Sequence, residues 1–248
     1  MRTVAVVLAG GSGLRLGGTA PKQLQTLAGR TLLEHSVAAF QLAQGVDEIV
    51  VVMAPSFLAQ ARRTLGDRYG KVSDIIAGGA DRPGSTRRAI EWLSRAGRGV
   101  TTSAGAQDGD GPDCNVLFHD AARPLVDQRI IADCVAGLRS CQALGVVVPT
   151  ADTIVEVTGG VMTKMPPRET LGRCQTPQGF RLSVIRRAHQ LAEADPRAAE
   201  FSATDDCGIV LRYLPEIEVR AVPGSERNLK ITYTDDLRVA EMLLRSND

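Results

Sequence analysis

The feature that most constrains this chain is an apolar strand that runs directly into a glycine-rich loop. Residues Val4 to Leu8 are continuously apolar and predict a buried strand, which Ala9-Gly10-Gly11-Ser12-Gly13 follows. Three glycines within four residues leave backbone N–H groups that can approach an anion without obstruction by side chains. Arg15 and Lys22 come next. A guanidinium and an ammonium after such a loop suit the phosphate oxygens of a nucleoside triphosphate.

Two better-known phosphate loops fit this stretch poorly. The Rossmann fingerprint needs a third glycine where this chain has Leu16. A Walker A loop needs a lysine directly after a glycine and before Ser or Thr, whereas Lys22 lies between Pro21 and Gln23. A plain glycine-rich turn with solvated cations stays open as an alternative. The pattern L-A-G-G-x-G-x-R-L followed by P-K is similar to the signature loop of the sugar-phosphate and polyol-phosphate nucleotidyltransferases.

Composition restricts the partners of the chain. Its 248 residues are enough for one large domain, and we interpret residues 1–248 as a single unit. The formal net charge is only +1, so we expect neither a nucleic acid nor a membrane as partner, and any polyanion site must be local. No apolar run approaches the ~20 residues that span a bilayer. Five cysteines without C-x-x-C, and three histidines, indicate neither a disulfide framework nor a zinc site, so a reducing cytoplasm is expected.

Strand-like and helix-like segments alternate along the chain. The predicted strands are Val4–Leu8, Glu48–Met53, Val72–Ile76, Asn115–Phe118, Val146–Val148 and Glu218–Val222. The predicted helices are Thr31–Gln41, Ser56–Leu65, Ser85–Arg95, Asp127–Cys141, Arg181–Ala194, Thr204–Leu211 and Thr234–Arg245. This alternation predicts an α/β fold, a Rossmann-like three-layer α/β/α arrangement with a mostly parallel twisted sheet. Such sheets bind ligands beyond the carboxyl ends of their strands.

Two acidic stretches are candidates for a metal site. Asp108-Gly109-Asp110 lies in the small and polar stretch Gly97–Asp113, which we interpret as a solvated surface loop. Asp120 instead follows an apolar strand, within His119-Asp120-Ala121-Ala122-Arg123. A carboxylate at the end of a central strand can share Mg²⁺ with phosphate oxygens. The plainer alternative is that Asp120 caps a turn and that Arg123 is a surface partner.

A hairpin interrupts the alternation. Thr153–Val157 and Val161–Lys164 predict two short strands around the turn Thr158-Gly159-Gly160, with few apolar residues to bury. Because a lone hairpin is marginal in water, we expect residues 150–170 to form an arm that packs on a second subunit.

Eight short motifs occur in one order along nearly the whole chain, and together they carry a resemblance to a known family. They are L-A-G-G-S-G-L-R-L, P-K-Q, G-G-A-D-R, H-D-A-A-R-P, A-D-T, R-C-Q-T-P-Q-G-F, T-D-D and N-L-K-I-T. The chain resembles the cytidylyltransferases that act on 2-C-methyl-D-erythritol 4-phosphate or on D-ribitol 5-phosphate. The resemblance implies a nucleotidyltransferase fold of the glycosyltransferase-A-like kind, CTP and a small polyol phosphate as substrates, and a homodimer joined through the arm.

The resemblance also implies a role for individual residues. Catalytic cations would be Arg15, Lys22 and Lys230, and Asp120 would bind Mg²⁺. The nucleotide site would comprise Leu8, Ala9, Gly10, Gly11, Ser12, Gly13, Gly79, Arg82, Ser85, Asp120 and Ala121. The polyol phosphate would be held by Arg123, Thr153, Arg168, Thr176 and Thr204, with Thr153 and Arg168 acting on their own or on the partner's active site.

The implied chemistry agrees with the residue types present. A phosphate monoester oxygen is already anionic near neutral pH, so its attack on the α-phosphorus of CTP needs no general base. The enzyme must instead hold two polyanions in line and neutralise the charge that develops during transfer. Departures from the methylerythritol pattern, such as L-A-G-G at Leu8 to Gly11, favour a pentitol phosphate as the acceptor. A phosphonate acceptor, another nucleotide and a catalytically silent homologue remain open.

Overall fold

The computed structural model describes residues 1–11, 21–95, 113–198 and 205–246. Its strands are β1 (Thr3–Ala9), β2 (Thr26–Leu27), β3 (Arg30–Thr31), β4 (Glu48–Met53), β5 (Val72–Ala77), β6 (Asn115–Asp120), β7 (Ala143–Pro149), β8 (Glu156–Thr158), β9 (Val161–Lys164), β10 (Gly172–Arg181) and β11 (Val219–Pro223). Its α-helices are α1 (Leu32–Leu42), α2 (Leu58–Leu65), α3 (Arg82–Arg95), α4 (Gln128–Gly137), α5 (Leu182–Ala194), α6 (Asp206–Tyr213) and α7 (Thr234–Arg245). None of these helices is long and apolar enough to cross a bilayer.

A seven-stranded sheet forms the centre of the molecule, in the order β11-β7-β10-β6-β1-β4-β5. All seven residues of β1 are buried, and the strand pairs in parallel with β4 on one side and β6 on the other. Continuous apolar runs are typical of parallel strands covered on both faces. Leu8 of β1 pairs with Asp120 of β6. The glycine turn directly after β1 and the Asp120 carboxylate therefore lie at the same edge of the sheet.

Helices cover both faces of the sheet. Ala5 and Val7 of β1 belong to one apolar cluster with residues of α1, α2 and α4, such as Phe40 of α1. Val4 and Val6 point to the opposite face and belong to a second cluster with α3, α5 and α6. The predicted three-layer α/β/α fold is confirmed.

Strand β10 is the main element that the sequence did not predict. It is antiparallel to β6 and β7 and lies between them, with an irregular register between Gln175 and Gln178. The stretch R-C-Q-T-P-Q-G-F combines a proline and a glycine with few β-branched residues, so its pattern does not indicate a strand. Its conformation is set by the two flanking strands, so tertiary pairing overrides local preference.

The predicted hairpin is present as β8 and β9, and every residue of both strands is exposed. Its first strand begins at Glu156, three residues later than predicted. Gly159 and Gly160 have φ angles of 59° and 81°, a left-handed conformation that glycine adopts without a Cβ clash. Exposed Val157, Val161 and Met162 give this arm an apolar surface. Most of the predicted Gly97–Asp113 loop lies outside the described residues.

Candidate active site

A cavity of about 520 Å³ opens at the carboxyl ends of β1 and β6. Such an edge is where ligands bind in open α/β sheets. Backbone and side chains from five separate parts of the chain meet there. They are Leu8, Gly10, Gly11, Lys22, Gln23, Ala80, Asp81, Arg82, Ser85, Asp120, Ala122, Lys230 and Thr232.

Asp120 lies in this cavity between two cations. The Lys230 ammonium donates to Oδ2 of Asp120 at 2.7 Å, and Nε of Arg82 donates to Oδ1 at 3.4 Å. Burial opposes ionisation of the carboxyl, but the charges of Arg82 and Lys230 outweigh it and hold the pKa of Asp120 well below its usual range. Near neutral pH the site therefore presents an ionised carboxylate between an ammonium and a guanidinium.

One wall of the cavity is the turn from β5 into α3. The Asp81 carboxylate accepts from the backbone N–H of Gly84 at 2.7 Å and so caps the helix, which begins three residues earlier than the sequence pattern indicated. The hydroxyl of Ser85 accepts from the N–H of Gly79 at 3.2 Å. A Cβ on Gly79 would lie 2.5 Å from the carbonyl carbon of Gly84. Glycine at position 79 is therefore required by close packing of the backbone.

The opposite wall carries both lysines. Lys22 belongs to a short 3₁₀ helix, and its ammonium donates to the carbonyl of Ile231 at 2.9 Å. The N–H of Ile231 donates in turn to the carbonyl of Ala122, just beyond β6. The extended segment that carries Lys230 is thus tied to both the lysine after the glycine loop and the turn after Asp120.

Arg123 and Thr176 lie close to the cavity but are held by the protein itself. Arg123 is only 9% exposed, and its guanidinium donates to the carbonyls of Asn228 and Cys174 at 2.7 and 3.4 Å. The hydroxyl of Thr176 accepts from the N–H of Asp120 and contacts Nδ1 of His119, each at 3.1 Å. Neither residue lines the cavity. In this structure both side chains bond to other parts of the protein. Their contact with the polyol phosphate stays a prediction.

Thr153 and Arg168 lie at the base of the arm, outside this cavity. The Arg168 guanidinium donates to the Thr153 hydroxyl at 3.1 Å, and both side chains are exposed. Ala9 and Ala121, also predicted for the nucleotide site, are buried in an apolar cluster and do not line the cavity. The other predicted site residues, Ser12, Gly13, Arg15 and Thr204, lie outside the described residues.

Several cavity residues had no predicted role: Gln23, Ala80, Asp81, Ala122 and Thr232. Gln23 is the most informative, because it is 3% exposed and its Oε1 has no hydrogen-bond partner within the described ranges. Gln23 belongs to the motif P-K-Q, but the sequence analysis predicts a role only for the lysine of that motif.

The acidic residues of the cavity are candidates for holding a metal ion. The described residues contain no group of three His, Cys, Asp or Glu side chains that could hold a metal by themselves. Mg²⁺ in nucleotide enzymes is commonly held by one or two carboxylates together with substrate phosphates. Asp120, ionised beside two cations while Asp81 caps α3, fits a metal that arrives with a phosphate ligand and does not fit an all-protein site.

Comparison with known proteins agrees with this geometry. The family model described as 2-C-methyl-D-erythritol 4-phosphate cytidylyltransferase matches residues 3–246. The chain belongs to this family. It is thus a nucleotidyltransferase of the cytidylyltransferase type, and the resemblance seen in the eight motifs is confirmed.

Individual relatives cover almost the entire chain. The 2-C-methyl-D-erythritol 4-phosphate cytidylyltransferase of Thermobifida fusca is 50% identical, over 99% of this chain and 94% of its own. The bifunctional ribulose 5-phosphate reductase/CDP-ribitol pyrophosphorylase Bcs1 of Haemophilus influenzae is 35% identical over 99% of this chain, which spans 48% of that longer protein. The crystal structure of 2-C-methyl-D-erythritol 4-phosphate cytidylyltransferase from Thermus thermophilus superposes with a TM-score of 0.70 at 29% identity, covering 99% of this chain and 100% of its own.

Proposed function

We propose that the protein transfers the cytidylyl group of CTP to the phosphate of 2-C-methyl-D-erythritol 4-phosphate and releases pyrophosphate. The observation that carries this proposal is the ionised Asp120 between Arg82 and Lys230, in a cavity that begins at the glycine turn after β1. A triphosphate and a phosphate monoester are both polyanions, so a site for joining them must concentrate cations around a small volume.

In the proposed reaction, an oxygen of the acceptor phosphate attacks the α-phosphorus of CTP. The new P–O bond forms as the bond between the α-phosphorus and the bridging oxygen to the β-phosphate breaks, and the bond electrons leave with pyrophosphate. No proton has to be removed from the anionic nucleophile. The chain's own contribution is to align the two phosphates and to neutralise developing charge through Lys22, Lys230 and Arg15.

We propose that Asp120 holds Mg²⁺ together with the CTP phosphates. The metal would supply charge neutralisation at the triphosphate. The ionisation of Asp120 supports this assignment, and so does its position beside Lys230 at the end of β6. The turn from Gly79 to Ser85 would receive the cytidine, because Ala80, Asp81, Arg82 and Ser85 line the same cavity.

The identity of the acceptor is supported less directly than the transfer of the cytidylyl group. Departures such as L-A-G-G favoured a pentitol phosphate, whereas the family match and the Thermobifida relative, at 50% identity, support the methylerythritol phosphate. The ribitol-related protein is less similar, at 35%. Identity over the full chain is stronger support for the acceptor than a short departure such as L-A-G-G.

We also propose a homodimer in the cytoplasm. The arm supports the dimer because its strands bury nothing within their own subunit and expose Val157, Val161 and Met162. All five cysteines are free, which suits a reducing compartment.

Pyrophosphate release with a panel of substrates tests the proposal. CTP, UTP, GTP and ATP are each supplied with Mg²⁺ and one acceptor, namely methylerythritol 4-phosphate, D-ribitol 5-phosphate or a hydroxyalkyl phosphonate. We expect the highest kcat/KM for CTP with methylerythritol 4-phosphate. Equal or better turnover with UTP or GTP would overturn the assignment of CTP as the nucleotide. Preference for D-ribitol 5-phosphate would overturn only the assignment of the acceptor.

A further inference from the structure

A second carboxylate, that of Asp206, forms an ion pair with the cavity residue Arg82. Asp206 is 0% exposed, and its Oδ2 lies 2.9 Å from Nη1 of Arg82. Because Arg82 also donates through Nε to Asp120, one guanidinium bridges two carboxylates from different elements, β6 and α6. The third nitrogen, Nη2, is buried and has no hydrogen-bond partner within the described ranges.

The position of Asp206 is itself fixed by its surroundings. The backbone N–H of Asp206 donates to Oε1 of Gln178 at 3.1 Å, and its Oδ1 lies 3.5 Å from Nε2 of the buried His189. The preceding Asp205 caps α6 by accepting from the N–H of Gly208 at 2.9 Å. Asp206 is therefore not needed as the helix cap. Its carboxylate is directed at Arg82 and His189 instead.

We propose that Asp206 is a positioning residue for nucleotide binding, which holds Arg82 and thereby the turn from Gly79 to Ser85 at the width that the nucleotide needs. This inference rests on the proposed use of the cavity by CTP. Arg82 is the first residue of α3 and follows directly on the turn that lines the cavity. Whatever fixes its guanidinium also fixes the backbone on which Gly79 and Ser85 lie.

The second carboxylate also affects how the Arg82 guanidinium is oriented between its two acidic partners. A guanidinium beside a single carboxylate tends to pair with it through two parallel bonds. Nη1 of Arg82 forms an ion pair with Asp206, whereas Nε donates to Asp120, which keeps its other oxygen for Lys230. Without the charge on Asp206, Arg82 would turn fully toward Asp120 and move the α3 turn with it.

The charges are consistent with this arrangement. Burial alone would make both groups neutral, but the charge of Arg82 lowers the pKa of Asp206, and Asp206 and Asp120 together raise the pKa of Arg82. The bridge is thus ionised on both sides. A buried ion pair of this kind is better suited to fixing geometry than to adding stability.

Asp206→Asn tests the inference, because it keeps the side-chain shape and removes the charge. We expect KM for CTP to rise about tenfold, while KM for the acceptor stays within about twofold. CTP binding measured by calorimetry in EDTA should weaken to a similar extent, which separates the effect from any metal and from turnover. Asp205→Asn is the matched control, since it removes a charge from the same helix end, keeps a capping side chain and leaves in place the carboxylate that pairs with Arg82.

A double-mutant cycle with Arg82→Gln distinguishes positioning from a general structural role. If Asp206 acts through Arg82, adding Asp206→Asn to Arg82→Gln should change KM for CTP by less than about twofold. Multiplication of the two effects, an unchanged KM for CTP in Asp206→Asn, or an equal rise in both KM values would each overturn the inference. The wild type is assayed alongside: failure of the wild type to use CTP would reject the proposed function, whereas a fully active wild type with an unaffected variant rejects only the role of Asp206.

Discussion

The ammonium of Lys230 lies 2.7 Å from Oδ2 of Asp120, although the two residues are 110 positions apart in the chain. The contact joins the end of β6 to the extended segment before α7 and places a cation at the edge of the sheet where the glycine loop begins. A phosphate that enters the cavity meets this lysine and Lys22 together. Each lysine can therefore be tested separately for its part in catalysis.

Replacement of Lys230 or Lys22 by alanine should lower kcat/KM by about 10²- to 10³-fold, because each change removes a cation aimed at developing phosphate charge. Pyrophosphate release measures the loss, and circular dichroism checks the fold. Lys71→Ala is the matched control, since Lys71 also donates to a backbone carbonyl, that of Ala43 at 2.7 Å, but lies outside the cavity. Normal turnover in Lys22→Ala would remove that residue from the proposed mechanism.

Gly79→Ala should weaken CTP binding at least about tenfold. The added Cβ would lie 2.5 Å from backbone carbon of Gly84, so the turn has to move and cannot keep its present contact with Ser85. Gly70→Ala is the control, because a Cβ there meets nothing within 4 Å. Calorimetric titration with CTP measures both variants, and equal affinities would show that the turn is not part of the nucleotide site.

Mixing inactive variants should reveal whether the arm works across a dimer. We expect Thr153→Ala and Arg168→Ala each to lose activity, and each to recover part of it when subunits are exchanged with Lys22→Ala. Recovery follows if one subunit supplies an intact cavity and the other an intact arm. No recovery despite exchange verified by mass spectrometry would place the arm on its own chain's active site.

The free energy of unfolding should fall as the pH is lowered from about 6.5 to 4.5. Burial lowers the pKa of His119 to about 4, so the unfolded chain binds a proton in this range that the folded protein does not. A shift of this size corresponds to on the order of 3 kcal/mol. Urea unfolding at several pH values measures it, and the part of the decline above about pH 5, where carboxyls such as Asp120 are ionised in both states, reports the histidine. His119→Gln should flatten the profile, and an unchanged slope in this variant would contradict the assignment.

Much of the sheet could be predicted because its strands are locally distinctive. Glu48–Met53 was predicted with its observed bounds, and Val4–Leu8 differs by one residue at each end, since runs of Val, Ile and Leu identify strands buried on both faces. Helix α7 was likewise predicted with its observed bounds. Strand β10 was missed because nothing local marks it, and its conformation depends on β6 and β7.

The site was predictable in part for a similar reason. Distinctive motifs contain Lys22, Asp120 and Lys230, and the structure brings these residues to one cavity. The burial of Arg123 was not predictable, because it depends on the carbonyl of Asn228, 105 residues further along the chain. The bridge from Arg82 to Asp206 joins two motifs, G-G-A-D-R and T-D-D, whose contact no spacing within either could indicate.

The antiparallel strand β10 also affects how the chain folds during its synthesis. Strand β6 lies between β1 and β10, so a nascent chain that ends before residue 172 has a central strand with one open edge. Such an edge is a template for pairing with other chains. The open edge of β6 is therefore covered only after synthesis of the segment that also ties Thr176 to Asp120.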